Sequence, residues 1–251
     1  MKSTPLFSNI KTGVSAYDES DKATYKGITY KTLFFFILTV ATAIVGAILL
    51  PIFFHDEQSL TLLIGLVIGA TIVALVSAIV GRLSYKVAMV FGTIYSISMG
   101  FLLGVITAIS ELYVEGIGVA AAFSTLIVFG IVLLLFFTGI LKSGKVLKAA
   151  LLGILLGILS LGLFTLILVL TNVLKYNDYL LLLLAIEGLY LLYAVIMLCF
   201  NFLEAEQVVK MGASKNAEWS VALGLITTLA YIYIELLRIL LIIASIVGNR
   251  N

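Results

Sequence analysis

Two charged side chains, Glu235 and Arg238, interrupt the apolar run "TTLAYIYIELLRILLII" (227–243), which is long enough to cross a bilayer. Three residues apart on a helix, they share a face and can neutralise each other. A charge at mid-membrane costs about 2.5–3.5 kcal/mol on insertion scales, so such residues mark a wet cavity, a partner on another helix, or an ion or proton path. The rest of the polar inventory inside the apolar runs is short: Glu187, Asn201, Glu204 and Glu206. Should Glu204 face Glu235, the two carboxylates could not both ionise easily. They would share a proton and respond to pH as a unit. Two carboxylates are also the ligand type that hard Ca²⁺ accepts. The alternatives are plainer. Glu204 and Glu206 can be solvated charges near a helix end, and Glu187 either lines an outer vestibule or hydrogen-bonds between helices.

Other chemistries lack their residues. His55 is the one histidine, which removes His-based zinc motifs such as H-E-x-x-H. No apolar run contains Asp, so an intramembrane aspartyl dyad would have to use Glu. There is no Walker-type loop, and the last run carries no Lys for a Schiff base. Cys199, the single cysteine, sits in an apolar run as a small hydrophobe. Neither an enzyme, a resident cofactor nor a nucleic-acid partner is expected.

The elements that must position these groups follow from hydropathy. Hydrophobic residues make up 63% of the chain and charged residues 11%, with a mean hydropathy of +1.24. Soluble domains are only about half apolar, so the expected fold is an all-α polytopic membrane protein whose main partner is the lipid bilayer. Seven runs are long enough to span: Thr32–Phe54, Leu60–Val80, Val87–Ser110, Gly116–Leu141, Val146–Thr171, Tyr179–Phe202 and Ser220–Val247. Residues 1–31 form a polar tail, 32–247 the membrane domain and 248–251 a short C-terminus. "YKGITYKT" (25–32) reads as an amphipathic lead-in at the membrane surface.

Basic residues then set the orientation. Lys2, Lys11, Lys22, Lys26, Lys31, Arg82, Lys86, Lys142, Lys145, Lys148, Lys210 and Lys215, twelve of the fifteen, fall on one side. That side is cytoplasmic, with the N-terminus in it and the C-terminus outside. Lys175 and Arg250 fall opposite, together with His55, Asp56, Glu57, Glu111 and Glu115. The third run carries small residues at every fourth position: Gly92, Ser96, Gly100, Gly104 and Ala108. Such a ridge lets a neighbouring helix approach closely, and Gly153 and Gly157 repeat it in the fifth. Pro51 helps to end the first helix. Phe53, Tyr85, Tyr113, Tyr179 and Trp219 fit interfacial aromatic belts.

"FNFLEAEQVVKMGASKNAEWSVALGLITTLAYIYIELLRILLII" (200–243) resembles the C-terminal half of the Bax inhibitor-1 and YccA-like membrane proteins. The N-terminal "TPLFSNI" (4–10), "ATYKGITYKT" (23–32) and "ISMGFLLGVITAISELY" (97–113) are similar to a largely bacterial branch of it. The resemblance implies a seven-helix bundle with the C-terminal helix central, and a pH-sensitive Ca²⁺ leak. It implies an acidic pair on the sixth and seventh helices as pH sensor and gate, which falls here on Glu204 and Glu235. Asn201 or Glu206 are the alternatives to Glu204. Members use an Arg in the second helix to pair with these acids, whereas Leu60–Val80 has no basic residue, leaving Arg238 or Arg82 as substitutes. The expected function is a pH-sensitive Ca²⁺ or cation leak channel in the bacterial plasma membrane, with Glu111, Glu115 and Glu187 drawing cations to the outer mouth. Glu204 and Glu235 are the candidate Ca²⁺ contacts. Two other functions fit: an interaction protein that restrains a membrane-anchored AAA protease through its N-terminal tail, and a secondary transporter for a small solute.

Overall fold

A computed structural model of the chain describes residues 21–53, 57–138, 144–170 and 176–248. They form seven long helices: α1 (Tyr25–Phe53), α2 (Glu57–Leu83), α3 (Ala88–Glu111), α4 (Ile117–Phe137), α5 (Gly144–Leu170), α6 (Tyr176–Lys210) and α7 (Lys215–Gly248). Among the described residues there is no strand beyond one isolated bridge, Lys22 with Ser214. Six helices are long and apolar enough to cross a membrane; in α5 the apolar stretch identified is shorter, Leu152–Thr165. The chain is a polytopic α-helical membrane protein. His55, Asp56, Lys142, Lys175, Arg250 and the "TPLFSNI" element lie outside the described residues.

Apolar side chains select helices here because lipid offers no partner for a backbone N–H or C=O, so each segment must satisfy its own. The scattered hydroxyls obey the same constraint. Thr32, Thr39, Thr93, Thr107 and Thr125 each donate to the carbonyl four residues back, at 2.6–2.9 Å.

Two helix boundaries differ instructively from the hydropathy reading. First, α1 begins at Tyr25, so "YKGITYKT" is the start of the first helix and not a separate surface segment. Second, α2 continues to Leu83 and so includes Arg82 in its last turn.

The chain divides into two compact units. One comprises the described part of Met1–Ile109 with Asn201–Ala230; the other comprises the described parts of Ser110–Phe200 and Tyr231–Asn251.

In the first unit, Phe35 of α1 is fully buried among Ala74 of α2, Tyr95 and Leu102 of α3, and Ala222, Leu223 and Ile226 of α7. The small-residue ridge of α3 is a packing surface against α1. A Cβ at Gly92 would strike the Phe35 ring, one at Gly100 the Thr39 carbonyl and Thr42, and one at Gly104 the Ala43 carbonyl. The approach is close enough for Thr42 Oγ1 to donate to the Ser96 carbonyl at 3.3 Å. Gly153 and Gly157 do not repeat this, since a Cβ at either meets nothing within 4 Å.

The same unit holds a clasp. Gly212, at φ 61°, ends α6 with the paired bonds of a Schellman turn, Gly212 N–H to Val209 and Ala213 N–H to Val208. The returning chain then receives the segment before α1. Ala23 N–H donates to the Ala213 carbonyl at 2.7 Å, and Thr24 N–H donates to Glu218 Oε1 at 2.7 Å. Lys31 reaches Glu218 Oε2 at 2.6 Å and lies over the Trp219 ring at 4.9 Å. Trp219 packs on Phe34 and Phe35, and so serves the contact between α1 and α7.

Gly104→Val is expected to destabilise the protein by about 1–3 kcal/mol through overpacking against Ala43. Gly153→Val should be near neutral. Thermal unfolding of both variants in detergent checks the contrast.

Candidate functional site

In the first unit, the sequence "NFLEAEQ" (201–207) presents Asn201 and Glu204 from α6. Arg82 enters from the last turn of α2 and binds both. Its Nη2 donates to Glu204 Oε2 at 2.9 Å and to Asn201 Oδ1 at 3.3 Å, while Nη1 donates to the Ser220 carbonyl of α7 at 3.2 Å. Asn201 Nδ2 in turn donates to Thr228 Oγ1 at 2.6 Å and to the Gly224 carbonyl at 2.9 Å. Gly224 is required: a Cβ there would strike the guanidinium and crowd Asn201 Oδ1. The absent side chain lets a cation lie against the backbone of α7. Arg82 thus joins three helices through one hydrogen-bonded network, and it is the basic group on the second helix that hydropathy placed in a loop.

The second unit holds the other cluster. Glu235 of α7 is fully buried, at 0% exposure, and neither carboxylate oxygen has a hydrogen bond of ordinary geometry, although the Tyr231 hydroxyl and the Glu187 carboxyl lie close enough to interact with it. Tyr231 and Arg238 share its helix face, and Glu187 of α6 stands opposite as a second buried carboxylate. Oε2 of Glu187 is also buried without a hydrogen-bond partner. Among the described residues, the counter-charge beside Glu235 is Arg238. Its Nη1 lies 3.7 Å from Glu235 Oε1 and 3.9 Å from Glu187 Oε2, beyond the roughly 2.7–2.9 Å of a charge-assisted hydrogen bond.

The expected residues therefore sort into several environments. Glu204 is paired with Arg82 and bridged to Asn201; within its own unit, the carboxylate beside Glu235 is Glu187. Glu187 is buried beside Glu235 and Arg238. Arg238 does pair with Glu235, though loosely. Glu206 bonds Lys210 of its own helix four residues on, at the surface, and takes no part in the Arg82 network. Glu111 is a structural cap: its oxygens accept from Gly116 N–H at 2.6 Å and Gly118 N–H at 2.8 Å, holding the start of α4. The turn needs Gly116 at φ 78°. Glu115 is exposed. Among the described residues no group of three or more His, Cys, Asp or Glu is placed to hold a metal.

The sequence reading missed Glu218 and Thr228 and gave Arg82 a minor place. The signal for Arg82 was available, since a basic residue two positions beyond an apolar run can lie within the helix on its aliphatic stem. Glu218 stands in the first turn of α7, where an acid favours the helix N-terminus.

Arg82→Gln is expected to lower stability by about 1.5–3 kcal/mol, the range for hydrogen bonds to charged groups. Adding Glu204→Gln should recover part of that loss, because no unpaired carboxylate then remains. A double-mutant cycle on thermal unfolding reads the coupling.

No curated protein and no solved structure matches the chain. A family model does, over residues 4–245, and its description is "Bax inhibitor 1 like". A match across nearly the whole length shows that this chain belongs to the Bax inhibitor 1 like family.

Proposed function

We propose that the protein is a pH-modulated leak pathway for Ca²⁺ or a related cation in the plasma membrane, with its N-terminus in the cytoplasm and its C-terminus outside. One observation carries the reading: Glu235 is a fully buried carboxylate with neither oxygen in a hydrogen bond of ordinary geometry, beside a second buried carboxylate on the neighbouring helix. A purely structural acid at this depth would be tied into hydrogen bonds, as Glu204 is. Acids inside membrane spans that lack such bonds are the expected mark of an ion or proton route.

Gating in this reading is electrostatic. Glu187 and Glu235 bring two carboxylates to one half-exposed guanidinium, Arg238, at 3.9 and 3.7 Å. Negative charge in excess of that single counter-charge attracts a cation. The acids on the sixth and seventh helices are thus the pH sensor, with Glu187 the partner nearest Glu235. The excess of Lys and Arg in the N-terminal segment and the even-numbered connections supports the orientation.

Ca²⁺ flux into liposomes that hold the purified protein tests the proposal between about pH 5 and pH 8. Wild-type flux should exceed that of empty liposomes and rise with pH. Glu235→Gln and Glu187→Gln should each flatten the pH dependence. Wild-type flux equal to that of empty liposomes at every pH would overturn the channel reading. Glu204→Gln in the same assay assigns the Arg82 network: a changed pH profile makes it part of the gate, an unchanged one makes it scaffold.

A further inference from the structure

One end of the first unit gathers basic residues: Lys26 and Lys31 at the start of α1, Arg82 and Lys86 at the α2–α3 turn, and Lys210 and Lys215 at the α6–α7 turn. Three of the four described acids there are engaged inside the fold. Glu218 binds Lys31 at 2.6 Å, Glu204 binds Arg82 at 2.9 Å and Glu206 binds Lys210. The fourth, Asp21, is exposed ahead of α1. Among the described residues, Lys26, Lys86 and Lys215 are exposed and have no carboxylate partner.

Lys26 has a setting of its own. Its ammonium rests over the Tyr30 ring, 5.8 Å from the centroid, an attraction that holds a cation without neutralising it. Tyr30 is 61% exposed, and among the described residues its hydroxyl has no hydrogen-bond partner. Below these two residues Leu33, Ile37, Val40 and Ile44 follow at helical spacing, all exposed, as one apolar stripe of α1. A cation and a free hydroxyl thus stand together at the head of a lipid-facing surface.

We infer that Lys26 and Tyr30 form a headgroup site for one anionic phospholipid, whose acyl chains lie along the α1 stripe. A phosphate oxygen accepts from both the ammonium and the phenol. The stripe supplies apolar contact that a free anion has no means to use. A zwitterionic lipid brings its own ammonium to balance its phosphate, so a lysine without a carboxylate partner favours the anionic headgroup. Lys31 shows the contrast within the same helix: its charge is met by Glu218 and its side chain is mostly covered.

Native mass spectrometry of the full-length protein, from mixed micelles with equal amounts of phosphatidylglycerol and phosphatidylcholine of matched chains, tests this. Wild type is expected to retain one phosphatidylglycerol in preference to phosphatidylcholine by about fivefold, the contribution of one lysine near an anionic surface. Lys26→Gln should erase the preference. Tyr30→Phe, which keeps the ring, should lower it about twofold through loss of the hydroxyl. Both positions are exposed, so the substitutions leave the packing intact. Lys86→Gln, equally exposed but on another segment, should keep the preference. No preference in wild type, or one that survives Lys26→Gln, would overturn the proposal. An equal loss in Lys86→Gln would do so too, by marking a diffuse basic end in place of a site. So would displacement of the lipid by excess inorganic phosphate, which assigns the two donors to a free anion. The site stands or falls independently of the leak.

Discussion

Moving a carboxylate or a guanidinium out of water costs several kcal/mol per ion even after relaxation, and a partner offsets this only when its geometry is good and the remaining polar atoms are also bonded. The chain meets that constraint in two ways. Around Arg82 it is met in full: each polar atom of Asn201 has a partner, and the guanidinium reaches a carboxylate, an amide oxygen and a backbone carbonyl. Around Glu235 it is not met, and the deficit persists in a fully buried group. Buried hydroxyls of Ser96, Thr165 and Ser220 also lack a partner, but an unbonded carboxylate costs more than an unbonded hydroxyl, which sets the second cluster apart.

The two clusters also divide the work between rigidity and responsiveness. The Arg82 network lies among α2, α6 and α7, in the unit whose helices pack most closely, with Gly224 stripped of a side chain to admit the guanidinium. The ridge on α3 adds backbone-to-backbone approach on α1, which concentrates dispersion contacts where lipid supplies no hydrophobic drive. Glu187, Glu235 and Arg238 face each other with longer separations, and the Arg238 side chain is 54% exposed. A loosely held charge of that kind can change partners without the helices having to move far.

How much of this was legible in the sequence follows from the range of each interaction. Helix existence is a local property of apolar runs, and each of the seven runs holds a helix among the described residues, with ends moved by up to eight residues. The α3 ridge was readable for the same reason, since a four-residue period lies within one helix. The burial of Glu235 was readable too, because an acid in the middle of a span declares its cost. Partners were less so. Arg82 and Glu204 are 122 residues apart, and no periodicity encodes which acid a distant base will meet. Hydropathy moreover ended the second helix at Val80, whereas backbone hydrogen bonding carries it to Leu83. That difference turned a helical Arg into a loop residue. Glu111 adds a role that hydropathy does not encode: an acid near a span end also caps the next helix.

The clasp at Glu218 bears on how the molecule is made. Thr24 and Glu218 are separated by 194 residues, so α1 finds these partners only once the start of α7 has been made. Until then Lys31 has neither Glu218 nor the Trp219 ring, while the small-residue ridge of α3 is already available to α1. This part of the assembly therefore waits for α7, and a chain halted before it leaves the segment ahead of α1 without its fastening.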